Sequence, residues 1–441
     1  MQFKELNIIP EIRRALEEEN YSIPTPIQEK AIPIILAGRD MLGCAQTGTG
    51  KTAAFAIPTL QLLGKGPQSK SRTRDIGALI LTPTRELAIQ IYESTCAYGI
   101  YTGLESCVVY GGVSQKPQET SLKRGVDILV ATPGRLLDLI NQKLIDLRQI
   151  KILILDEADR MLDMGFIHDV RKIVAYTPED KQTLLFSATM PADIAKLSRD
   201  LLKDPVRVDI TPESSTVEST EQYMYYVDKA NKKHLLTHLL QGDSIDSALV
   251  FARTKHGANS IVKHLLANDV QAQAIHGNKS QRARQNALND FKSGNLRVLV
   301  ATDIASRGID IEELSHVINF DLPQVPETYV HRIGRTGRAG LSGIAISFCN
   351  FDEKSLLPNI EKLIDKHLVE IKNHPFPLMD NFPTVKEARP ARNNPANNRA
   401  PRAATSANKS RQSRPDGRLK DKGASYNRGR AAKSWAGQSR K

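Results

Sequence analysis

Short runs of aliphatic and β-branched residues recur along this chain, each followed by a polar loop and then a longer stretch with helical spacing. The first series is Met41 to Ala45, Ala78 to Thr82, Ile128 to Ala131, Ile152 to Leu155 and Thr183 to Ser187. The second is Ala248 to Ala252, Ala272 to Ile275, Val298 to Ala301, Val317 to Phe320 and Ile344 to Phe348. Apolar runs without polar alternation predict strands buried on both faces, and helices between them predict parallel sheets covered on both sides. Between the series lies Asp209 to Thr220 (DITPESSTVEST), polar with one proline, which predicts a linker. The expected fold class is therefore α/β, with two tandem parallel-sheet domains over 1–208 and 221–372, a linker over 209–220 and a tail over 373–441. In doubly wound sheets ligands sit outside the carboxyl ends of the strands, so the residues just after each run are where chemistry is expected.

Composition changes this picture at one end only. A length of 441 residues exceeds one typical core, in keeping with two domains. From Lys386 onward there are 16 Lys+Arg against 3 Asp+Glu, a net of +13; the whole chain is +12, which leaves −1 for the first 385 residues. Apart from alanine, the only apolar or aromatic residues of that segment are Leu419, Tyr426 and Trp435. Such a segment cannot bury enough surface to offset its chain entropy and is expected to be disordered. The four cysteines show no CxxC spacing, which excludes a zinc knuckle or disulfide framework. The N-terminus MQFKELNIIPEIRRALEEEN lacks a long apolar core, and no run reaches the length of a membrane span. A soluble, cytoplasmic protein of a reducing compartment, with no membrane partner, is expected.

The candidate chemistry begins after the first run, at Ala45, Gln46, Thr47, Gly48, Thr49, Gly50, Lys51 and Thr52 (AQTGTGKT). Gly48 and Gly50 let the backbone wrap phosphate oxygens, and the following helix adds its positive N-terminal end. Lys51 is expected to neutralise the β/γ-phosphates and Thr52 to offer its hydroxyl to Mg²⁺. About a hundred residues on, Asp156-Glu157-Ala158-Asp159 follows an apolar run. A solitary buried carboxylate is costly unless it holds a cation, which assigns Asp156 to Mg²⁺; its neighbour Glu157 suits a general base on the attacking water. Upstream, Tyr21 to Gln28 reads YSIPTPIQ, with Phe3 ahead of it. The Gln28 amide matches the donor–acceptor pair of adenine, with Phe3 and Tyr21 as aromatic neighbours; a proline-rich turn capping a helix fits the same residues equally well.

With these residues in place, the chain resembles the DEAD-box RNA helicases of helicase superfamily 2, over roughly Phe3 to Leu368. The segments stand in family order: YSIPTPIQ, AQTGTGKT, PTRELA (83–88), Gly111-Gly112, TPGR (132–135), DEAD, SAT (187–189), VFARTK (250–255), HGNKSQRAR (276–284), ATDIASRGID (301–310) and HRIGRTGR (331–338). The bacterial RhlE-type subgroup is the nearest in outline, by its compact core and basic extension. Ser306 stands where many relatives carry alanine.

The resemblance implies two RecA-like domains, ATP and Mg²⁺ as cofactors, and RNA as partner, with ribonucleoprotein or ribosome-assembly partners possible. It implies that Arg335 and Arg338 reach the γ-phosphate across a cleft that Gly308 and Asp310 border. Asp159, Ser187 and Thr189 would couple the acidic motif to closure, with His331 and Arg332 as cross-domain partners. Single-stranded RNA and short duplexes would be held by Thr84, Arg85, Gly111, Gly112, Thr132, Gly134 and Arg135, and by Arg253, Gln281, Arg284, Thr302, Asp303 and Arg307. These are hydroxyls, glycine amides and guanidinium groups in the main, the types that grip phosphate and sugar without reading sequence. The basic tail suits a non-specific RNA tether or, equally simply, a solubilising extension. A DNA-directed helicase and an RNA-binding scaffold are the competing classes.

Overall fold

In this computed structural model, residues 2–46, 48–64, 74–210, 220–242, 245–306, 314–336 and 343–379 are described. The described residues belong to one compact unit, Met1–Val385, which contains both sheets. Thr47, Arg307, Gly308, Asp310 and Arg338, most of the expected linker, and the tail beyond 379 with Tyr426 and Trp435 lie outside them.

The first sheet has seven strands: β1 (Met41–Cys44), β2 (Ala78–Leu81), β3 (Ser106–Val109), β4 (Ile128–Ala131), β5 (Ile152–Leu155), β6 (Gln182–Ser187) and β7 (Val206–Asp209). Their order is β3-β4-β2-β5-β6-β1-β7, and every pairing is parallel. The second sheet has β8 (Thr220–Tyr226), β9 (Ala248–Phe251), β10 (Ala272–Ile275), β11 (Val298–Ala301), β12 (His316–Asn319), β13 (Gly343–Cys349) and β14 (Val369–Glu370), in the order β10-β11-β9-β12-β13-β8-β14. It too is parallel throughout.

The alternation of side chains along each strand divides its residues between two cores. Ile80, Val130, Ile152, Ile154, Leu184 and Phe186 enter one core of the first sheet; Leu79, Leu81, Leu129, Leu153, Leu155 and Leu185 enter the other. This double burial is why β2, β4 and β5 are continuous apolar runs. The strand order has a direct consequence for the site. β5, β6 and β1 are neighbours, so the loops leaving their carboxyl ends, at Asp156, Ser187 and Ala45, are brought side by side although distant in sequence.

The expected boundary at 372 requires correction. Ile371 N–H donates to Met224 O, the Met379 N–H donates to Asp228 Oδ1 at 2.9 Å, and Phe376 packs on the second core. The packed chain thus extends to Met379, because an aromatic anchor outweighs the polar, proline-rich composition around it. Likewise Asp209 closes β7 and Thr220 opens β8, so both ends of the expected linker are strand residues. Among the described residues no helix is long and apolar enough to cross a membrane, and the four cysteines are free.

Candidate functional site

The loop after β1 is held in shape by the segment expected upstream. Gly48 and Gly50 sit at φ +83° and +87°, the left-handed region that glycine tolerates. Thr25 Oγ1 donates to Thr49 O at 2.8 Å, and Gln28 Nε2 donates to Gly50 O at 3.1 Å. The other end of the Gln28 amide accepts from the Thr25 N–H at 2.9 Å, the capping box of the helix Pro26–Leu36. Both ends of this buried amide are therefore engaged: the helix-cap reading is realised, and the same side chain braces the phosphate loop. Phe3 is buried against the edge of Tyr21, with ring centroids 6.0 Å apart, and the Tyr21 hydroxyl meets that of Tyr98 at 2.8 Å.

Lys51 opens the helix Lys51–Gly64 and folds back onto the loop, donating to Ala45 O at 2.8 Å and Gln46 O at 2.9 Å. Thr49 Oγ1 also donates to Gln46 O, at 2.9 Å. Burial lowers the Lys51 pKa, opposed by the negative charges of Asp156 and Glu157. A Cβ on Gly50 would lie 2.4 Å from Gln28 Nε2, in addition to the unfavourable φ. Gly50→Ala is therefore expected to lower stability by roughly 2 kcal/mol, from left-handed strain and a broken brace, and to weaken ATP binding. Thermal melting and nucleotide titration check this; an unchanged midpoint and affinity would remove the brace from the argument.

Asp156, just past β5, is almost fully buried, and its Oδ1 accepts from the Glu157 N–H at 3.0 Å. Burial pushes this carboxyl up, to about 6, against the pull of Lys51. A carboxylate so disfavoured fits a cation, and the chemistry of Asp156 and of the half-buried Thr52 hydroxyl is that of hard-oxygen donors, which Mg²⁺ prefers. Among the described residues there is no group of three or more His, Cys, Asp or Glu able to hold a metal. Mg²⁺ bound through one carboxylate, a hydroxyl and substrate phosphates does not require one. Glu157 adopts φ +53° and its carboxylate is paired with Arg160 of the helix Ala158–Asp163. Asp159 Oδ2 accepts from Thr189 N–H and Oγ1 at 2.9 and 3.0 Å, and its own N–H donates to Ser187 Oγ at 3.3 Å. The three residues expected to couple the acidic loop to the loop after β6 are thus directly bonded.

A cavity of about 530 Å³ lies between the two sheets, with Asp159, Arg160 and Thr189 on one wall and Asp303, His331, Arg332 and Arg335 on the other. Arg335 is 4% exposed and faces this cleft. Arg332 also borders the cleft, but its guanidinium bonds run within the second sheet's own side. Its guanidinium donates to both Asp303 carboxylate oxygens at 2.6 and 2.8 Å, to Asn319 Oδ1 at 3.0 Å and to Asp321 O at 2.7 Å. It also stacks over Phe251, 5.0 Å from the ring centre. These bonds make Arg332 a strut beneath the cleft rather than a bridge across it, and they occupy Asp303, which was expected to meet RNA.

A second groove of about 410 Å³ gathers Thr84, Arg85, Gly111, Thr132, Gly134 and Arg135 from the first side and Arg284 from the second. Gly112 lies beneath Arg85: a Cβ there would stand 2.2 Å from the guanidinium, and φ is +80°. The two sides are tied at Glu86, which accepts from Gln281 Nε2 at 2.8 Å and pairs with Arg284 at 3.0 Å. Arg284 Nε, Gln281 Oε1 and one guanidinium nitrogen of Arg135 are buried without a partner, donors and an acceptor left for a ligand. Arg253, Thr302 and Asp303 do not line this groove. Arg253 instead bonds Glu353 and Leu322 O, beside the buried Lys232–Glu353 pair at 2.6 Å. Sequence reasoning missed Glu86, Met164, Phe166 and Ile304, which line the groove, and Arg160. Only Glu86 had a signal, its place inside PTRELA.

Residues 25–197 match the DEAD/DEAH box helicase family model, and residues 231–340 match the helicase conserved C-terminal domain. The chain is 44% identical over 389 residues to the DEAD-box ATP-dependent RNA helicase CshA of Streptococcus pneumoniae, covering 88% of this chain and 72% of that protein. It is 43% identical over 391 residues to the ATP-dependent RNA helicase DeaD of Mycobacterium tuberculosis, covering 88% and 67%. Among solved structures, S. cerevisiae Dbp5 bound to RNA and ADP BeF3 superposes with a TM-score of 0.74 at 33% identity, covering 84% of this chain and 95% of that one.

Proposed function

Since this chain belongs to the DEAD-box family of ATP-dependent RNA helicases, which are RNA-dependent ATPases, we propose that it uses ATP to separate short RNA duplexes locally and to remodel ribonucleoproteins. Its two sheets act as separate domains in this reading, and ATP with single-stranded RNA favours their approach. The observation that supports it is that two separate cavities are lined by residues of the same pair of sheets. Arg335 faces Asp159 and Thr189 across one cavity, while Arg284 and Gln281 meet Glu86 beside the other. A ligand bound in either place rewards the same approach. The sites are then coupled reciprocally, by roughly 1–3 kcal/mol.

In the chemical step, water attacks the γ-phosphorus and the bond from that phosphorus to the β–γ bridging oxygen breaks, leaving ADP. Glu157 accepts the proton that the water gives up. Lys51 leaves the carbonyls of Ala45 and Gln46 for the phosphates, and Arg335, with Arg338, places positive charge where negative density spreads. Asp156 and Thr52 are the residues that would hold Mg²⁺, which when bound would neutralise charge on the phosphate oxygens. Thr84, Arg85, Thr132, Arg135, Gln281 and Arg284 grip the RNA backbone. The polar groups of the groove are mainly hydroxyls and guanidinium groups, which supports binding largely independent of sequence. The RhlE-type subgroup belongs to this proposal and rests on the compact core and basic extension alone; the relatives named above are CshA and DeaD.

ATP turnover measured with and without single-stranded RNA tests the reading. Stimulation by RNA, with tighter RNA binding in the presence of an ATP analogue, is expected. Equal rates and no coupling would contradict it.

A further inference from the structure

The Glu157 carboxylate is held by a residue outside the four-residue acidic motif. Arg160, three positions on and one turn along the helix, brings a single guanidinium nitrogen to 2.8 Å from Oε1 and 2.9 Å from Oε2. Both side chains are 7% exposed or less, so little solvent competes for the pair. Glu157 itself lies in left-handed backbone, which a glutamate rarely adopts and which aims its side chain away from the usual helical direction. The terminal torsion of a glutamate is broad, so an unrestrained carboxylate samples many orientations. Arg160 also lines the cavity between the sheets, with Asp159 and Asp163. It therefore stands between the acidic loop and the surface that the second sheet approaches.

We propose that Arg160 is a positioning residue for hydrolysis: its ion pair fixes the Glu157 carboxylate toward the attacking water, while nucleotide and RNA are gripped by other groups. This rests on the reading of Glu157 as the base given above. One guanidinium nitrogen reaches both carboxylate oxygens, a contact that the lysine ammonium can make in part from its shorter stem. Loss of the pair leaves the base present but misaimed, and misplacement of a reacting group lowers the chemical step without touching binding.

The test uses the full chain. Single-turnover hydrolysis by preformed enzyme–ATP–RNA complexes is compared for the wild type, Arg160→Gln and Arg160→Lys. The Kd for a single-stranded RNA oligonucleotide is measured alongside, with a non-hydrolysable ATP analogue present. Arg160→Gln is expected to hydrolyse about tenfold slower or worse, with RNA Kd within about twofold of wild type, and Arg160→Lys to recover most of the loss. A purely structural role would weaken grip and rate together. Hydrolysis by Arg160→Gln at the wild-type rate, or a parallel loss of RNA binding, overturns the proposal. Should the glutamine variant fail to fold, Arg160→Met decides: a rate about tenfold or more below wild type with unchanged RNA binding supports the proposal, and a wild-type rate overturns it. A wild-type enzyme that RNA does not stimulate would instead overturn the functional reading, whatever the variants do.

Discussion

Glu157→Gln is expected to slow ATP turnover by about 10²–10⁴-fold, the range associated with losing a positioned general base. The substitution removes proton acceptance but keeps an oxygen able to accept from Arg160, so the local structure should survive. Asp156, Lys51 and the groove residues are untouched, so ATP and RNA should still bind together. The expected phenotype is a trapped complex, in which RNA is retained for far longer than by the wild type because the resetting step is blocked. Filter retention of labelled RNA, chased with unlabelled competitor, measures the first property, and phosphate release measures the second. Full turnover in this variant would remove Glu157 from the chemistry.

Arg335→Ala should have an effect of similar size by a different route, about 10³-fold or more in RNA-stimulated turnover. Arg335 belongs to the second sheet's side of the cleft, whereas the phosphate loop and acids belong to the first. Its charge acts only when the two sides approach, so the variant should lose stimulation while RNA binding without nucleotide stays near wild type. Arg335→Lys is expected to recover little, because a point charge does not reproduce the planar fork. Steady-state turnover across an RNA titration checks this. A variant that RNA still stimulates fully would mean that the γ-phosphate charge is met elsewhere.

Fully buried strands were the most legible elements. β4, β5 and β11 coincide residue for residue with apolar runs, since burial on both faces leaves no polar position to blur them; β10 (AQAI) coincides too, although it is an edge strand with a half-buried Gln273. β3, β7, β8 and β14 were not expected. β3, β7 and β14 are edge strands, and β8 (TEQYMYY) pairs with the short edge strand β14; all have exposed or half-exposed positions that erase the apolar signal. In the site, the left-handed glycines of the loop after β1 and the bonding of Asp159 to Ser187 and Thr189 lie where the motifs stand in the sequence. Polar residues with several possible partners were harder. Gln28, Arg332 and Asp303 each could serve a ligand or the protein, and type and spacing carry no information about which partner is nearer. Arg160 had no signal, and Glu86 only its place inside PTRELA, because a single charged residue on a helix usually faces water.

The position of β1 in its sheet bears on how the protein is made. Met41 pairs with Leu184 on one side and Val206 on the other, and with no strand nearer in sequence. At synthesis rates of about 5–20 residues per second, this strand and the glycine loop after it are made roughly seven to thirty seconds before either neighbour exists. During that interval the strand has the helix Pro26–Leu36 to pack on but no strand partner on either edge, and a nascent chain with unpaired edges is open to chaperones and to aggregation. A ribosome pause placed after Asp209 would let the first half assemble before the second half begins to compete for it.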